Sequence, residues 1–310
     1  MALFPTGSTG PGDAATAVNL SRSDDPAGEP DEQEVQDQGL FRKDHERACQ
    51  QRQAAATFSR QRTLEAMPIM KVAAKSDIGC VRKNNEDCLL VDEQLGLLIV
   101  ADGMGGHAGG EVASALAVEA IAAYGKAYLA GPEPAERAAV LLQDAIRTAD
   151  EAISSKAQEH RKLREMGTTV VLALCRGDQV HIAHVGDSRA YLLHDRELRQ
   201  LTEDHSVVAQ LIKAGLLTPR EARFHPLRHQ ITRSLGSRTA VAELRCVTWQ
   251  RGDILLLCSD GLTMMVEDHH IAELMLRGSS DVQATAEALV ARANSNGGKD
   301  NISVILAYRD

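Results

Sequence analysis

The chain has 310 residues, enough for one large domain or two ordinary ones. Its 43 acidic residues outnumber the 34 basic ones, and the net charge of −9 argues against a general nucleic-acid-binding surface. The sequence contains neither a run of about 20 apolar residues, as a membrane helix needs, nor a charged-then-apolar signal segment. We therefore expect a cytoplasmic protein that does not contact a membrane.

Residues 1–68 differ in composition from the rest of the chain. The stretch 1–37 is rich in Gly, Pro and Ser and holds eight acidic residues but only one basic residue, Arg22. Such a segment cannot bury enough apolar surface to offset the entropy of ordering. Residues 38–68 reverse the balance, with six Lys or Arg against three acids, and could form an exposed helix. We predict a disordered or weakly helical N-terminal extension, either a solvated linker or a docking tail.

The apolar pattern of residues 69–310 predicts one folded domain whose strands and helices fall in separate groups. The expected strands are 69–75, 88–92, 96–101, 168–175, 179–185, 189–193, 241–249, 253–258 and 301–308. The expected helices are 110–129, 134–158, a short one near 206–215, 268–276 and 281–294. Strands that cluster with helix pairs favour an α+β fold, in which helices pack outside a mostly antiparallel sheet system.

Four short acidic motifs lie where apolar, strand-like runs start or stop. They are Asn85-Glu86-Asp87, Ala101-Asp102-Gly103, Ser259-Asp260-Gly261 and Lys299-Asp300-Asn301. Neighbouring antiparallel strands alternate in direction, so the end of one strand and the start of the next share a sheet edge. Carboxylates gathered on one edge repel one another, and divalent cations remove that repulsion. Oxygen-only ligands select hard ions such as Mg²⁺ or Mn²⁺.

Further segments accompany the acidic motifs in a fixed order along the chain. Arg82 precedes Asp87, and the segments 166–169 (Met-Gly-Thr-Thr) and 186–189 (Gly-Asp-Ser-Arg) lie between the second and third motifs. Together these segments resemble the metal-dependent type 2C protein Ser/Thr phosphatases over essentially all of residues 70–308. The Met-Gly-Gly-His sequence at 104–107 and the segment 225–236 look like the bacterial branch of that family.

The resemblance implies an antiparallel β-sandwich flanked by helix pairs, with two Mn²⁺ or Mg²⁺ ions at one edge. Asp102 would bridge the two ions. The backbone carbonyl of Gly103 and the carboxylate of Asp87 would complete one metal site, and Glu86 could share the role of Asp87.

The remaining implied ligands belong to the other ions and to the substrate. Asp260 and Asp300 would hold the second metal. A third, weaker metal is often bound in the bacterial branch, and Asp187 with Asp260 match its ligands. Arg82 would clamp the substrate phosphate, because a guanidinium fork matches phosphate geometry.

The implied reaction is hydrolysis of phosphoserine and phosphothreonine on proteins by water that two metal ions activate, without a covalent phospho-enzyme. No Cys-x₅-Arg loop is present, which argues against a cysteine phosphatase. Two positions depart from many family members. Met104 stands where they carry a His proposed as the acid for the leaving alcohol, so the general acid stays unassigned. Met264 stands where they carry Asp or Asn, which weakens the expectation of a third metal.

The expected partners are phosphorylated proteins and a Ser/Thr kinase that the enzyme opposes, and the expected state is a monomer. Two other functions remain open at this point: dephosphorylation of a transcription regulator such as an anti-sigma antagonist, and a catalytically weak phosphoprotein-binding module. The segment from Asp204 to Gly236, here named the flap segment, corresponds to the flap of bacterial relatives. It carries Arg220, Arg223 and Arg228 and is predicted to select phosphoprotein substrates.

Overall fold

The structure, a computed structural model, describes residues 70–310 except 106–108, 132–134, 239 and 279–280. The predicted extension at 1–68 and the residues Gly106 and His107 lie outside this part of the chain. The strands are β1 Met70–Asp77, β2 Asp87–Asp92, β3 Leu97–Met104, β4 Gly167–Thr168, β5 Val170–Arg176, β6 Gln179–Val185, β7 Arg189–His194, β8 Glu197–Gln200, β9 Glu243–Thr248, β10 Ile254–Cys258 and β11 Ile302–Arg309.

The helices fall into two pairs and several short pieces. They are α1 Gly109–Tyr128, α2 Ala135–Glu159, α3 Val207–Lys213, α4 Pro219–Ala222, α5 Asp260–Thr263, α6 Asp268–Arg277 and α7 Val282–Ser295, with a 3₁₀ turn at Arg161–Leu163. Within the described residues, none of them has both the length and the apolar character needed to span a membrane.

The strands form two antiparallel sheets that pack face to face. The first sheet has the order β1-β11-β10-β7-β8, and the second has the order β2-β3-β5-β6-β9 with β4 paired to β3. Every strand pair within them is antiparallel. The prediction of an antiparallel β-sandwich flanked by helix pairs is confirmed.

Strand β3 shows why its sequence is a continuous apolar run rather than an alternating one. Leu98 and Val100 pack between the two sheets, whereas Leu97 and Ile99 pack against α1 and α2 on the other face. All four side chains are fully buried. A strand covered on both faces has no solvent side, so it needs apolar residues at every position. Helices α6 and α7 cover the first sheet in the same way.

The differences from the predicted elements are local. The predicted strand 168–175 is divided, because Gly167 and Thr168 pair with the end of β3 while β5 begins at Val170. Strand β8 and helices α4 and α5 were not predicted. Each has only four residues, too few to show a period.

Candidate active site

Strand register brings the predicted carboxylates to one edge of the sandwich. Asp87 and Asp102 are direct cross-strand partners in the second sheet. In the first sheet, Asp260 follows β10 and Asp300 lies just before β11, and these two strands are neighbours. Four carboxylates that are far apart in sequence therefore meet where the ends of both sheets converge.

Asp187 joins this group from the turn between β6 and β7. Gly186 has a φ of +110°, and a Cβ at this position would lie 2.5 Å from the side chain of Thr169. Only glycine suits this left-handed, crowded position. The Thr169 and Ser188 hydroxyls are hydrogen-bonded at 2.7 Å and hold the far side of the turn.

The carboxylates lie close enough to shift one another's protonation. Burial raises the pKa of Asp102 well above its ordinary value, and the charges of Asp87, Asp260, Asp187 and Asp300 add to the effect. Burial likewise raises the pKa of Asp260 well above its ordinary value, helped first by Asp187. The pKa of Asp87 and that of Asp187 are each raised to about 6, in both cases mainly by burial. Each of these five residues is only partly buried, so the site is a cleft rather than a closed cavity.

Hydrogen bonds from neighbouring residues brace the cleft. The Ser259 hydroxyl donates to Asp87 Oδ2 at 2.8 Å. The Thr168 hydroxyl and the Thr169 backbone N–H donate to the Asp102 carbonyl, at 2.8 and 2.9 Å. The sequence motifs contained these three bracing residues, but nothing in their spacing indicated which atoms they would hold.

Arg82 reaches the cleft from the loop between β1 and β2. Its guanidinium donates to Asp300 Oδ2 at 2.6 Å, and it remains about half exposed. Although burial opposes the charged form, the carboxylates of Asp300, Glu86 and Asp102 outweigh it and raise the pKa of Arg82. Arg82 therefore places a positively charged, partly solvent-exposed guanidinium at the entrance of the acidic cleft.

Backbone packing places Gly103 against the start of α1. A Cβ on Gly103 would lie 2.1 Å from the Gly110 carbonyl oxygen. The Gly103 N–H donates to the Glu86 carbonyl at 3.1 Å, and a Cβ on Gly110 would lie 2.5 Å from Glu86 Oε2. Any side chain at Gly103 would push the two segments apart.

The donor set fits divalent metal ions. Asp87 Oδ1 is buried and has no hydrogen-bond partner among the described residues, a costly state for a carboxylate unless something else binds it. Carboxylate and carbonyl oxygens are the ligands that Mg²⁺ and Mn²⁺ prefer. The raised pKa values point the same way, because a bound cation would offset both the burial and the mutual repulsion that raise them.

A second cluster lies beside the cleft and does not suit a metal. Among the described residues, His184, His205 and Glu243 place three possible ligand atoms within 4.8 Å of one another. The two rings are stacked, 15° from parallel with centroids 4.7 Å apart. Ring lone pairs lie in the ring planes, so stacked rings cannot both point at one ion. The Arg233 guanidinium, 3.2 Å from His205 Nε2, adds a further positive charge.

The flap segment also reaches the cleft. The charges of Asp300 and Lys299 both act on the His229 imidazole, whose pKa burial lowers. No sequence pattern singled out His229, because its proximity to Asp300 depends on how the segment folds back. Separately, a cavity of about 380 Å³ at the end of α2, lined by Ser154, Arg164 and Gly236 among others, contains no carboxylate and is not part of the cleft.

Comparison with known proteins agrees with the fold and with the site. A profile of the protein phosphatase 2C family matches residues 82–307. The serine/threonine protein phosphatase PstP of Mycobacterium tuberculosis is 40% identical over 239 residues, which cover 77% of this chain and 45% of the relative. The serine/threonine phosphatase stp of Listeria monocytogenes is 40% identical over 245 residues, which cover 78% of this chain and 96% of that protein.

A solved structure gives the same match in three dimensions. The catalytic domain of PstP in complex with two manganese ions superposes with a TM-score of 0.69 at 38% identity and covers 77% of this chain and 97% of that one. The chain belongs to the protein phosphatase 2C family. It spans about half the length of the mycobacterial PstP and nearly all of the Listeria phosphatase.

Proposed function

We propose that this protein is a metal-dependent protein-serine/threonine phosphatase. The convergence of five carboxylates beside Arg82, at one edge of a type 2C sandwich, is the observation that carries the proposal. Relatives that are 40% identical bear the name serine/threonine phosphatase, which supports the same activity here.

The proposed ligands follow the positions in the cleft. Asp102 would contribute to both metal sites. With Asp87, its cross-strand partner, and the adjacent Gly103 carbonyl it would hold one Mn²⁺ or Mg²⁺. Asp260 and Asp300, at the ends of neighbouring strands, would hold a second ion.

A third, weaker site would use Asp187 together with Asp260. In support of it, the charge of Asp187 is the largest electrostatic contribution from a neighbouring group to the raised pKa of Asp260. The replacement of a family carboxylate or amide by Met264 removes one oxygen ligand from its surroundings.

The metal ions and the side chains of the cleft would have different roles in the reaction. When bound, the metal ions would supply positive charge for the phosphoryl oxygens and acidify water. Arg82 binds the phosphate dianion, and its bond to Asp300 holds the guanidinium at the cleft before substrate arrives. Met104 has no proton to give, so the leaving alkoxide must take its proton from another group or from water.

The finer features are part of the same proposal. The substrates are phosphorylated proteins, and the enzyme acts in cytoplasmic signalling as a monomer that opposes a Ser/Thr kinase. Residues 69–310 are the phosphatase domain, and 1–68 are a separate extension. The presence of all the carboxylates expected for the first two metal sites favours an active enzyme over a binding module that has lost catalysis.

The test uses purified full-length protein and a phosphoserine or phosphothreonine peptide. We expect Mn²⁺-dependent release of phosphate that a chelator abolishes. Asp102→Asn and Asp260→Asn should each retain less than about a hundredth of the turnover, because each removes a ligand that no neighbour replaces. Exposed Asp178→Asn is the matched control. More than a tenth of wild-type turnover in both cleft variants would refute the metal assignment.

A further inference from the structure

His205 makes a two-way contact with the turn that carries Asp187. The His205 backbone N–H donates to the Gly186 carbonyl at 2.9 Å, and the Gly186 N–H donates to His205 Nδ1 at 3.1 Å. The His205 side chain is 7% exposed, so water does not compete for these bonds. One residue thus satisfies both backbone groups of Gly186, the residue directly before Asp187.

The opposite side of the same turn is fixed by packing. Gly186 lies against the Thr169 side chain, and the Thr169 hydroxyl is bonded to the Ser188 hydroxyl. With Thr169 on one side and His205 on the other, the turn has little freedom to move. If the His205 contact is removed, one side of the turn loses its support.

His205 also closes the base of the flap segment. Its carbonyl accepts the Thr232 N–H at 2.7 Å, and the neighbouring Ser206 forms an antiparallel bridge with Ile231. Both ends of the flap segment therefore meet at His205, one residue from the bidentate ion pair between Asp204 and Arg189.

The imidazole has a defined proton position. Because Nδ1 accepts an N–H, a neutral ring carries its proton on Nε2, which lies 3.5 Å from Glu243 Oε2. Arg233 Nη1, 3.2 Å from the same nitrogen, then contacts it without donating a hydrogen bond to it. The stacked His184 ring covers one face of His205 and donates from Nε2 to the Glu203 carbonyl at 2.9 Å when protonated there. Only an acceptor at the position of Nδ1 can make the bond to Gly186.

We propose that His205 is a positioning residue that orients Asp187 for metal binding and joins that turn to the base of the flap segment. This inference rests on the proposed metal-dependent phosphatase function. His205 does not contact the reacting groups; it acts through Gly186 on Asp187. Groups that orient metal ligands typically contribute about 10–100-fold to metal affinity.

The decisive experiment compares variants that differ in the acceptor at this position. In His205→Asn, the amide oxygen can replace Nδ1, whereas in His205→Gln the amide lies one bond further out, near the position of Nε2. His181→Asn is the matched control, because His181 is a buried histidine on β6 whose ring makes no hydrogen bond to the described residues. Asp187→Asn gives the reference for complete loss of this ligand.

Mn²⁺ binding to chelator-treated full-length protein is counted by electron paramagnetic resonance during a titration. We expect His205→Gln to weaken the site that Asp187→Asn removes by about tenfold or more, and His205→Asn to lie within about threefold of wild type. The stronger sites and the thermal midpoint should be similar in the two His205 variants. A KM for phosphopeptide that rises in the Gln variant alone would support the link to the flap segment.

Several results would overturn the inference. Wild-type Mn²⁺ binding in His205→Gln, equal losses in the Asn and Gln variants, or an equal loss in His181→Asn would each leave His205 a structural residue. Unchanged Mn²⁺ binding in Asp187→Asn would remove Asp187 from the metal site, and the inference with it. If the wild-type protein binds no Mn²⁺ and its activity is independent of metal, the proposed function itself fails, which is a separate outcome.

Discussion

At the scale of single residues, Arg82 is held at the cleft by Asp300, although the two are 218 positions apart. A guanidinium already bound to a proposed metal ligand is oriented before the phosphate arrives, so less entropy is lost on binding. The same contact means that Arg82 offsets part of the carboxylate charge in the absence of metal.

Replacing Arg82 tests its role as the phosphate clamp. We expect Arg82→Ala to raise KM for a small phosphate ester and to weaken inhibition by free phosphate, by about 1.5–3 kcal/mol, the range for a charged hydrogen bond. Steady-state kinetics at saturating Mn²⁺ measure both. Arg147→Ala, which removes an exposed arginine paired on helix α2, is the control. An unchanged KM together with unchanged phosphate inhibition would exclude Arg82 from the site.

The position of Asp102 among other carboxylates leads to a prediction about the effect of removing metal. Without metal, Asp102 lies among four other carboxylates, and burial raises its pKa well above the ordinary value. Asp102→Asn removes one carboxylate and with it the repulsion from the other four. In excess chelator we therefore expect the variant to melt several degrees above wild type, since each kcal/mol of stability shifts the thermal midpoint by about 2–4 °C.

Added Mn²⁺ should reverse the order of the two proteins. A ligand at about 100 times its Kd stabilises the folded state by about 2.7 kcal/mol, and the variant has lost the bridging ligand. Differential scanning fluorimetry with and without Mn²⁺ measures the effect. Wild type that is as stable as the variant in chelator would argue against repulsion in the cleft.

At the scale of elements, an ion pair between the last residue of β7 and the residue before β10 gives the stability a pH dependence away from the cleft. His194 Nδ1 lies 2.8 Å from Asp253 Oδ1, and this hydrogen bond raises the pKa of His194. Asp195 also raises it, whereas Arg199 lowers it. Between about 6.5 and the raised pKa, the folded state binds more protons than the unfolded state.

The stabilisation by His194 is therefore complete below pH 6.5 and is lost as pH rises through the folded-state pKa. In His194→Gln we expect a smaller decrease of the thermal midpoint between pH 6 and pH 8 than in wild type. Thermal unfolding followed by circular dichroism checks this. Parallel pH curves for the two proteins would show that the pair adds nothing.

The arginines of the flap segment differ in whether they form an ion pair. Arg223 pairs with Glu267 outside the segment at 3.0 Å, whereas Arg220 and Arg228 make no ion pair within the described residues. Glu221, the nearby acid that could have neutralised them, instead forms a capping box with Thr218 at the start of α4. Arg228 acts on His229, which also feels the charge of Asp300, so it lies on the side of the segment that faces the proposed phosphate site. Cations without an acidic partner on this segment suit recognition of acidic phosphoprotein segments.

We expect the double substitution of Arg220 and Arg228 by Ala to lower kcat/KM for a phosphopeptide by about tenfold, with little change for a small aryl phosphate. Replacing Arg251 and Arg292 by Ala removes the same charge outside the segment and is the control. Equal small effects on both substrates would mean that the arginines only solvate the segment. Loss of both activities would place the segment in the catalytic machinery.

At the scale of the whole molecule, the pairing of strand β1 indicates where the folded domain must begin. β1 is an edge strand of the first sheet, and all eight of its residues, Met70–Asp77, pair with β11. Ala73 is buried in the core of that sheet and its helices. The composition change near Pro68 lies two residues before this strand.

A protein that begins at Pro68 should therefore keep the fold and hydrolyse a small phosphate ester at a rate close to that of the full chain. One that begins at Ile78 should be destabilised, because it exposes the edge of β11 and leaves a gap at Ala73. Circular dichroism and turnover of the two truncated proteins decide this. Unfolding of the Pro68 protein would show that the earlier residues contribute to the domain.

The sequence by itself determined the longer strands and helices and the chemical nature of the site. Apolar residues at helical spacing on α2, such as Leu142 and Ile146, are fully buried as predicted, because a helical period depends on neighbouring residues alone. Carboxylates directly after or before apolar runs had to lie at sheet edges for the same local reason. The ordered motifs also indicated the family and its metal chemistry.

Only the tertiary structure decided which groups meet. Three contacts join segments from different loops. Arg82 is hydrogen-bonded to Asp300, His229 lies close to Asp300, and His205 is hydrogen-bonded to Gly186. Such contacts depend on strand register and on the packing of one sheet against the other, and a local pattern contains neither. Short elements such as β8 likewise form because neighbouring strands supply their hydrogen bonds.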